Sequence, residues 1–159
     1  MRGLISLAGG LLILSGCNPE EPGSTSDTVV FDSTPYVLES GHFPTPTLPE
    51  DNPLTEAGVV LGQMLFHEKR LSGDNTMACA DCHRQHQNFS DASVLSIGIA
   101  GFEGSRHSMV LSNLAWHVHH NGTHGHGFLW DGRAATLRDQ VLLPIQDELE
   151  MATTDRKST

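Results

Sequence analysis

The chain is poor in several things that build common folds. Only three cysteines occur in 159 residues, with two tryptophans and one tyrosine. A scaffold stapled by several disulfides is therefore excluded. Lysine and arginine total nine against nineteen acids, a formal net charge of −10, so the basic footprint of a nucleic-acid binder is absent. No apolar run is long enough to span a bilayer as a mature helix. The longest, Leu4 to Leu14, falls well short. Nor does a sustained strand pattern appear: Val94 to Ile99 alternates in character but is short and bordered by glycine.

What is present is concentrated in Cys79-Ala80-Asp81-Cys82-His83. This is C-x-x-C-H, the attachment signature of a c-type haem. Two thiols at this spacing can add to the two vinyl groups of one porphyrin, and the adjacent imidazole of His83 then serves as proximal ligand to the iron. The competing readings are a zinc half-site and a thioredoxin-like redox pair. Zinc needs a second Cys/His pair at matched spacing, and redox exchange needs a strand-turn-helix setting. Neither context is visible.

The leader has a short positive start at Met1-Arg2, an apolar stretch from Leu4 to Leu14, and then Leu14-Ser15-Gly16-Cys17. Such an order reads as a signal peptide. Its end resembles the lipobox of bacterial lipoproteins, which implies lipidation of Cys17, a signal over residues 1–16 and, from Asn18, the outer membrane. The alternative is an ordinary secretory signal with an incidental cysteine. The three cysteines divide into one lipid anchor and two thioethers, leaving no stray thiol in an oxidising compartment. A periplasmic, lipid-anchored protein is the expectation, since haem is also attached to C-x-x-C-H outside the cytoplasmic membrane.

Residues 17–51 carry Pro22, Pro35, Pro44, Pro46 and Pro49 among Ser, Thr and acids. They read as a flexible tether, either a spacer or a surface-hugging arm. The foldable domain is then 52–159, small enough that a covalent haem would supply much of its apolar centre. The fold class expected is all-α with long loops. Asn52-Pro53 reads as an N-cap and first helical position, followed by a face of Leu54, Ala57, Val60, Leu61, Met64 and Leu65. Further helices are expected over Ser108–Trp116 and over Thr136–Leu143, the latter ended by Pro144.

The order of the motifs carries more than any one of them. Leu61-Gly62-x-x-Leu65-Phe66 precedes Leu71-Ser72-Gly73, Met77-Ala78-Cys79 and Asn88-Phe89-Ser90-Asp91. Ser96-Ile97-Gly98, Arg106, Asn113, Trp130-Asp131-Gly132-Arg133, Leu137, Gln140, Pro144-Ile145 and Glu150-Met151 follow. The series, from about Asn52 to Thr153, resembles the N-terminal, peroxidatic haem domain of bacterial di-haem cytochrome c peroxidases and the related MauG proteins. That resemblance implies a cytochrome c-like fold and reduction of hydrogen peroxide. Electrons would come from a small donor such as a cytochrome c or a cupredoxin. Glu150 matches the distal acid–base and Gln140 the distal glutamine that holds peroxide by hydrogen bond. Trp130 matches the electron relay between the two haems. Each has a plainer alternative, a polar helix end for the first two and core packing for the third. Arg106 and Arg133 are candidates to pair with haem propionates; equally they are solvated surface charges.

Three departures from the family pattern stand out. Many members carry a removable histidine ligand where this chain has Ile99, which implies a permanently open site as in the MauG-like branch. The asparagine that helps bind an inter-domain Ca²⁺ is replaced by His107, a poor ligand for a hard cation, which makes calcium doubtful. The sequence as given stops soon after Glu150-Met151, without the second haem domain. Whether it is a natural truncation, a frameshifted product or a partial sequence is open. The expectation on these grounds is weak peroxidase-type turnover.

His117, His119, His120, His124 and His126 crowd a segment that the family leaves unexplained. Five imidazoles suit Zn²⁺, Cu²⁺ or Ni²⁺, or form a solvated insertion. Two other functions therefore stay open. One is a mono-haem electron carrier, with Met109 or Met151 as nominal sixth ligand. The other is a non-enzymatic metal-binding lipoprotein.

Overall fold

A computed structural model describes residues 31–117 and 127–154 of the chain. Three helices stand in a frame of short 3₁₀ turns and long loops: α1 (Glu56–Phe66), α2 (Cys79–Cys82) and α3 (Leu137–Gln146). Among the described residues β-structure is limited to isolated bridges. This is the mainly helical, cytochrome c-like domain that the sequence implies.

The first helix starts later than Asn52-Pro53 suggests. Leu54 and Thr55 are held extended by the preceding segment, with Tyr36 N–H donating to Leu54 O (3.1 Å) and an antiparallel bridge between Pro35 and Thr55. Helical winding begins only beyond them. The buried Thr55 is the N-cap, its hydroxyl accepting from Gly58 N–H at 3.0 Å. The face of α1 expected to be apolar stays open to solvent: Val60, Leu61, Met64 and Leu65 are all exposed.

The proline-rich stretch, so far as it is described, lies along the domain as an arm. Trp116 Nε1 donates to Pro44 O (2.7 Å), and the Phe43 and Trp116 rings pack at 4.9 Å. Arg138 grips Asp51 through both guanidinium nitrogens, at 3.0 and 3.2 Å.

The helix expected over Ser108–Trp116 is corrected: Ser108–Leu111 has no regular secondary structure and Ser112–Asn113 is a turn. Backbone groups of this stretch serve partners elsewhere in the chain: Ser108 O accepts from Ser90 Oγ (2.5 Å) and Leu111 N–H donates to Phe89 O (3.3 Å). Only Leu114–Trp116 forms a 3₁₀ turn, after Asn113 in the left-handed region. The third helix runs past Pro144 to Gln146 and carries that proline inside it. Thr136 and Asp139 cap its start reciprocally, each side chain accepting from the other's backbone N–H at 3.1 Å.

The core is sparse. Ala78, Ile99, Phe128, Ala134 and Met151 are its buried apolar residues. The centre that a larger core would fill is instead a cavity of about 620 Å³ bounded by α2, α3 and the loops between them.

Candidate active site

The haem motif forms one helical turn. Asp81 closes it at the front, its Oδ2 accepting from Ala78 N–H at 2.8 Å, and His83 N–H closes it behind on Cys79 O at 2.9 Å. Both thiols, Cys79 and Cys82, are free and half-buried, and burial pushes both thiol pKa values up. The His83 Nδ1 atom lies 2.9 Å from Phe89 O, so it carries the proton and donates it. In the neutral imidazole Nε2 then carries the free lone pair that a metal could accept. Asn88 and Phe89 both adopt positive φ, 57° and 58°, which turns that carbonyl toward the imidazole.

Cys79, Cys82, His83, Arg106, Trp130, Arg133, Gln140 and Glu150, widely separated in sequence, all line the one cavity. On α3 the lining positions are Leu137, Gln140, Val141, Pro144 and Ile145, a single helical stripe. Within that stripe Pro144 has no N–H for the carbonyl of Gln140.

Leu149, Glu150 and Met151, in the segment Asp147–Met151 that follows α3, also line the cavity. The segment is clamped by Met151 N–H to Pro144 O (3.2 Å), Ala152 N–H to Asp147 O (2.8 Å) and Thr153 N–H to Ile145 O (2.9 Å). From the other side Gly73 N–H donates to Met151 O (2.8 Å) and Ile99 N–H to Glu150 O (2.8 Å). Ile99 itself is buried, 7% exposed. Gly98 permits the approach, because a Cβ there would lie 1.8 Å from Leu149 O. Glu150 faces the open cavity. Although Glu150 is exposed, partial desolvation by the cavity walls pushes its carboxyl pKa up, reinforced by the Asp147 charge and opposed by Arg133.

Trp130 sits at the tip of a loop closed by Phe128 N–H to Ala134 O (2.7 Å), with its indole about half exposed. Its Nε1 donates to His107 O (3.2 Å), the His107 ring stands edge-on at 5.0 Å, and the Arg106 guanidinium lies over the indole at 5.7 Å. Among the described residues Arg106 has no carboxylate within ion-pair distance. Arg133 pairs with Asp131 at 2.8 Å, both more than half exposed, a contact that solvent weakens.

These features fit a haem. The cavity lies in the range that holds a cofactor-sized molecule. Ile97, Val110, Trp130, Leu137, Val141 and Leu149 line it while remaining more than two-fifths exposed, apolar surface that a porphyrin would cover. Two free thiols and an oriented imidazole stand at one wall.

The sequence model for di-haem cytochrome c peroxidase matches residues 56–159. The chain belongs to that family. Relatives include a methylamine utilization protein MauG from Methylophilus methylotrophus, 38% identical over 65% of this chain and 28% of that one. Another is the cytochrome c peroxidase Ccp of Escherichia coli K12, 36% identical over 69% and 22%. A solved structure titled as a MauG-like protein associated with microbial copper homeostasis superposes with a TM-score of 0.63 at 32% identity, covering 77% of this chain and 36% of that one. The chain thus spans about a quarter of the length of the curated relatives it matches. Membership in the family implies haem c binding.

Sequence reasoning did not single out the Phe89 carbonyl, which no side chain announces, nor the Asp91, Ser96 and Ser108 side chains that meet near Cys82. Cys17 and the histidines at 119, 120, 124 and 126 lie outside the described residues. His117 is described: its ring packs on Phe128 at 5.2 Å. No helix among the described residues is long and apolar enough to cross a membrane.

Proposed function

We propose that this chain carries a peroxidatic haem c site that reduces hydrogen peroxide with electrons from a small redox protein. The observation that supports this most is the pairing, across one cavity, of an imidazole tied to a backbone carbonyl with a carboxyl whose pKa is raised. A haem would be held by Cys79, Cys82 and His83 and would supply the redox chemistry of peroxide reduction. Glu150 takes a proton from one peroxide oxygen and returns it to the other, so that water can leave. A raised pKa suits a group that must act as base and then as acid. Gln140 donates a hydrogen bond from its amide that holds peroxide in place. Arg106, free of acidic partners among the described residues, pairs with a propionate, and Arg133 does so by exchanging Asp131. Trp130, stacked under Arg106, carries electrons from the exposed rim.

Ile99 carries no group that could ligate iron, and the His107 imidazole is a poor ligand for calcium. The leader and Cys17 fit a periplasmic lipoprotein, in which the acidic surface favours encounter with a basic donor such as a cytochrome c or cupredoxin.

A mono-haem electron carrier is the second reading, because Met109 and Met151 also line the cavity. Electron paramagnetic resonance of the ferric protein separates the two. High-spin signals with a rapid Soret change on mixing with peroxide support the peroxidatic site. A low-spin histidine–methionine spectrum inert to peroxide overturns it.

A further inference from the structure

Near Cys82, three polar side chains form a chain the peroxidatic reading does not use. Ser96 Oγ donates to Asp91 Oδ2 at 2.6 Å. With that proton committed, the 2.8 Å contact between Ser96 and Ser108 hydroxyls has Ser108 as donor. The Cys82 thiol donates to Ile97 O at 3.7 Å, on the residue that follows Ser96. The Ser108 backbone is pinned by Ser90, whose hydroxyl donates to Ser108 O at 2.5 Å. Cys82, Ser96 and Ser108 all line the haem cavity, while Asp91 is not among the residues that line it.

The carboxylate is unusual for its setting. Asp91 Oδ1 is buried and has no hydrogen-bond partner among the described residues. Nor does a lysine or arginine among them form an ion pair with Asp91. Burial pushes its carboxyl pKa up, but hydrogen bonding, led by the Ser96 hydroxyl, outweighs it and holds the value below the usual range. The Asp91 charge reaches Cys82, where it opposes thiolate formation. Once Cys82 is a thioether, the same charge acts on the porphyrin to which it is joined.

We propose that Asp91 is a positioning residue for the haem: through Ser96 and Ser108 its carboxylate fixes the Cys82 wall of the cavity and sets a negative charge there that holds the reduction potential down. Charge, burial and hydrogen bonding around a haem are recognised levers on its potential. A fixed anion stabilises the more positive, oxidised iron over the reduced one. That bias favours the oxidised states a peroxidatic site must reach. The proposal rests on the haem reading above.

The test is a spectroscopic redox titration of the haem-loaded protein and of Asp91→Asn. The expected result is a higher potential in the variant, raising the ratio of reduced to oxidised haem about fivefold at fixed poise. Asp91→Glu, which restores the charge, should return most of the shift, whereas a role in packing alone would not. Ser96→Ala, which cuts the link and leaves the carboxylate, should give a smaller rise, and decides the matter if Asp91→Asn does not accumulate with haem. Haem-loaded variants with the parent's potential overturn this proposal alone. A parent chain that takes up no haem overturns both readings.

Discussion

The Nδ1 of His83 lies 2.9 Å from the carbonyl oxygen of Phe89, and that carbonyl also accepts from Leu111 N–H. One backbone oxygen therefore orients the imidazole and ties the haem motif to the Ser108–Leu111 segment that walls the cavity. Its aim depends on two successive left-handed residues, Asn88 and Phe89. Asparagine tolerates that conformation, whereas a β-branched residue does not.

Asn88→Val should accordingly destabilise the protein by about 1–2 kcal/mol, the scale of a non-glycine residue forced left-handed. Displacing the carbonyl would also weaken its bond to His83. Chemical denaturation checks the first effect, and the iron–histidine stretching frequency by resonance Raman checks the second. An unchanged frequency would mean that Phe89 O does not set the ligand's character.

Glu150→Gln keeps the shape of the distal side chain and removes its proton chemistry. Peroxide cleavage should slow by about 10²–10⁴, read by stopped-flow Soret absorbance. Stability should move the other way. The raised pKa means that the folded chain holds this proton more tightly than the unfolded chain does. Stability therefore falls as pH rises from the ordinary carboxylate value to the raised one, and stays lower above it. The glutamine variant escapes that loss. It should melt higher than the parent at neutral pH and match it below pH about 4. In the parent, the cleavage rate should rise with pH through a midpoint above the ordinary glutamate value.

Gly98→Ala tests how closely the distal segment is held. The added methyl would meet Leu149 O at 1.8 Å, so the backbone of Leu149 and Glu150 must retreat. A stability loss of about 1–3 kcal/mol is expected, with a fall in cleavage rate while haem attachment persists. Full activity in a stably folded variant would show that Glu150 need not sit where Ile99 and Gly98 hold it.

Pro144→Ala restores an N–H opposite the Gln140 carbonyl inside α3. The helix should gain stability of up to about 3 kcal/mol, seen as a higher Tm. Straightening it would also shift the stripe that carries Gln140, so peroxide affinity should weaken while the proton-transfer step at Glu150 is little changed. A steady-state KM against kcat comparison separates those effects.

The sequence was most legible where chemistry is local. C-x-x-C-H places two thiols and an imidazole on one turn whatever surrounds them, and the apolar pattern places a helix start close to Thr136. It misled where distant partners compete for the backbone. Asn52-Pro53 has the residues of a helix start, yet pairing of Leu54 and Thr55 with Pro35 and Tyr36 delays the helix. Ser108–Trp116 has an apolar helical face, yet its backbone groups are taken by Ser90 and Phe89. Pro144 carries a stop signal, yet the Asp147–Thr153 segment folds back on Pro144 and Ile145 and the helix continues to Gln146.

By itself, the sequence determined the haem-binding turn, the acidic surface and the order of motifs, because these depend on residue type and short spacing. Only the tertiary structure decided that Glu150 and Gln140 share a cavity with His83, that Phe89 lends its carbonyl to the imidazole, and that Asp91 stands near Cys82. Each of those relations joins separate stretches of chain through backbone carbonyls, close glycine contacts or shared burial, and such contacts exist only once the chain has closed around the cavity.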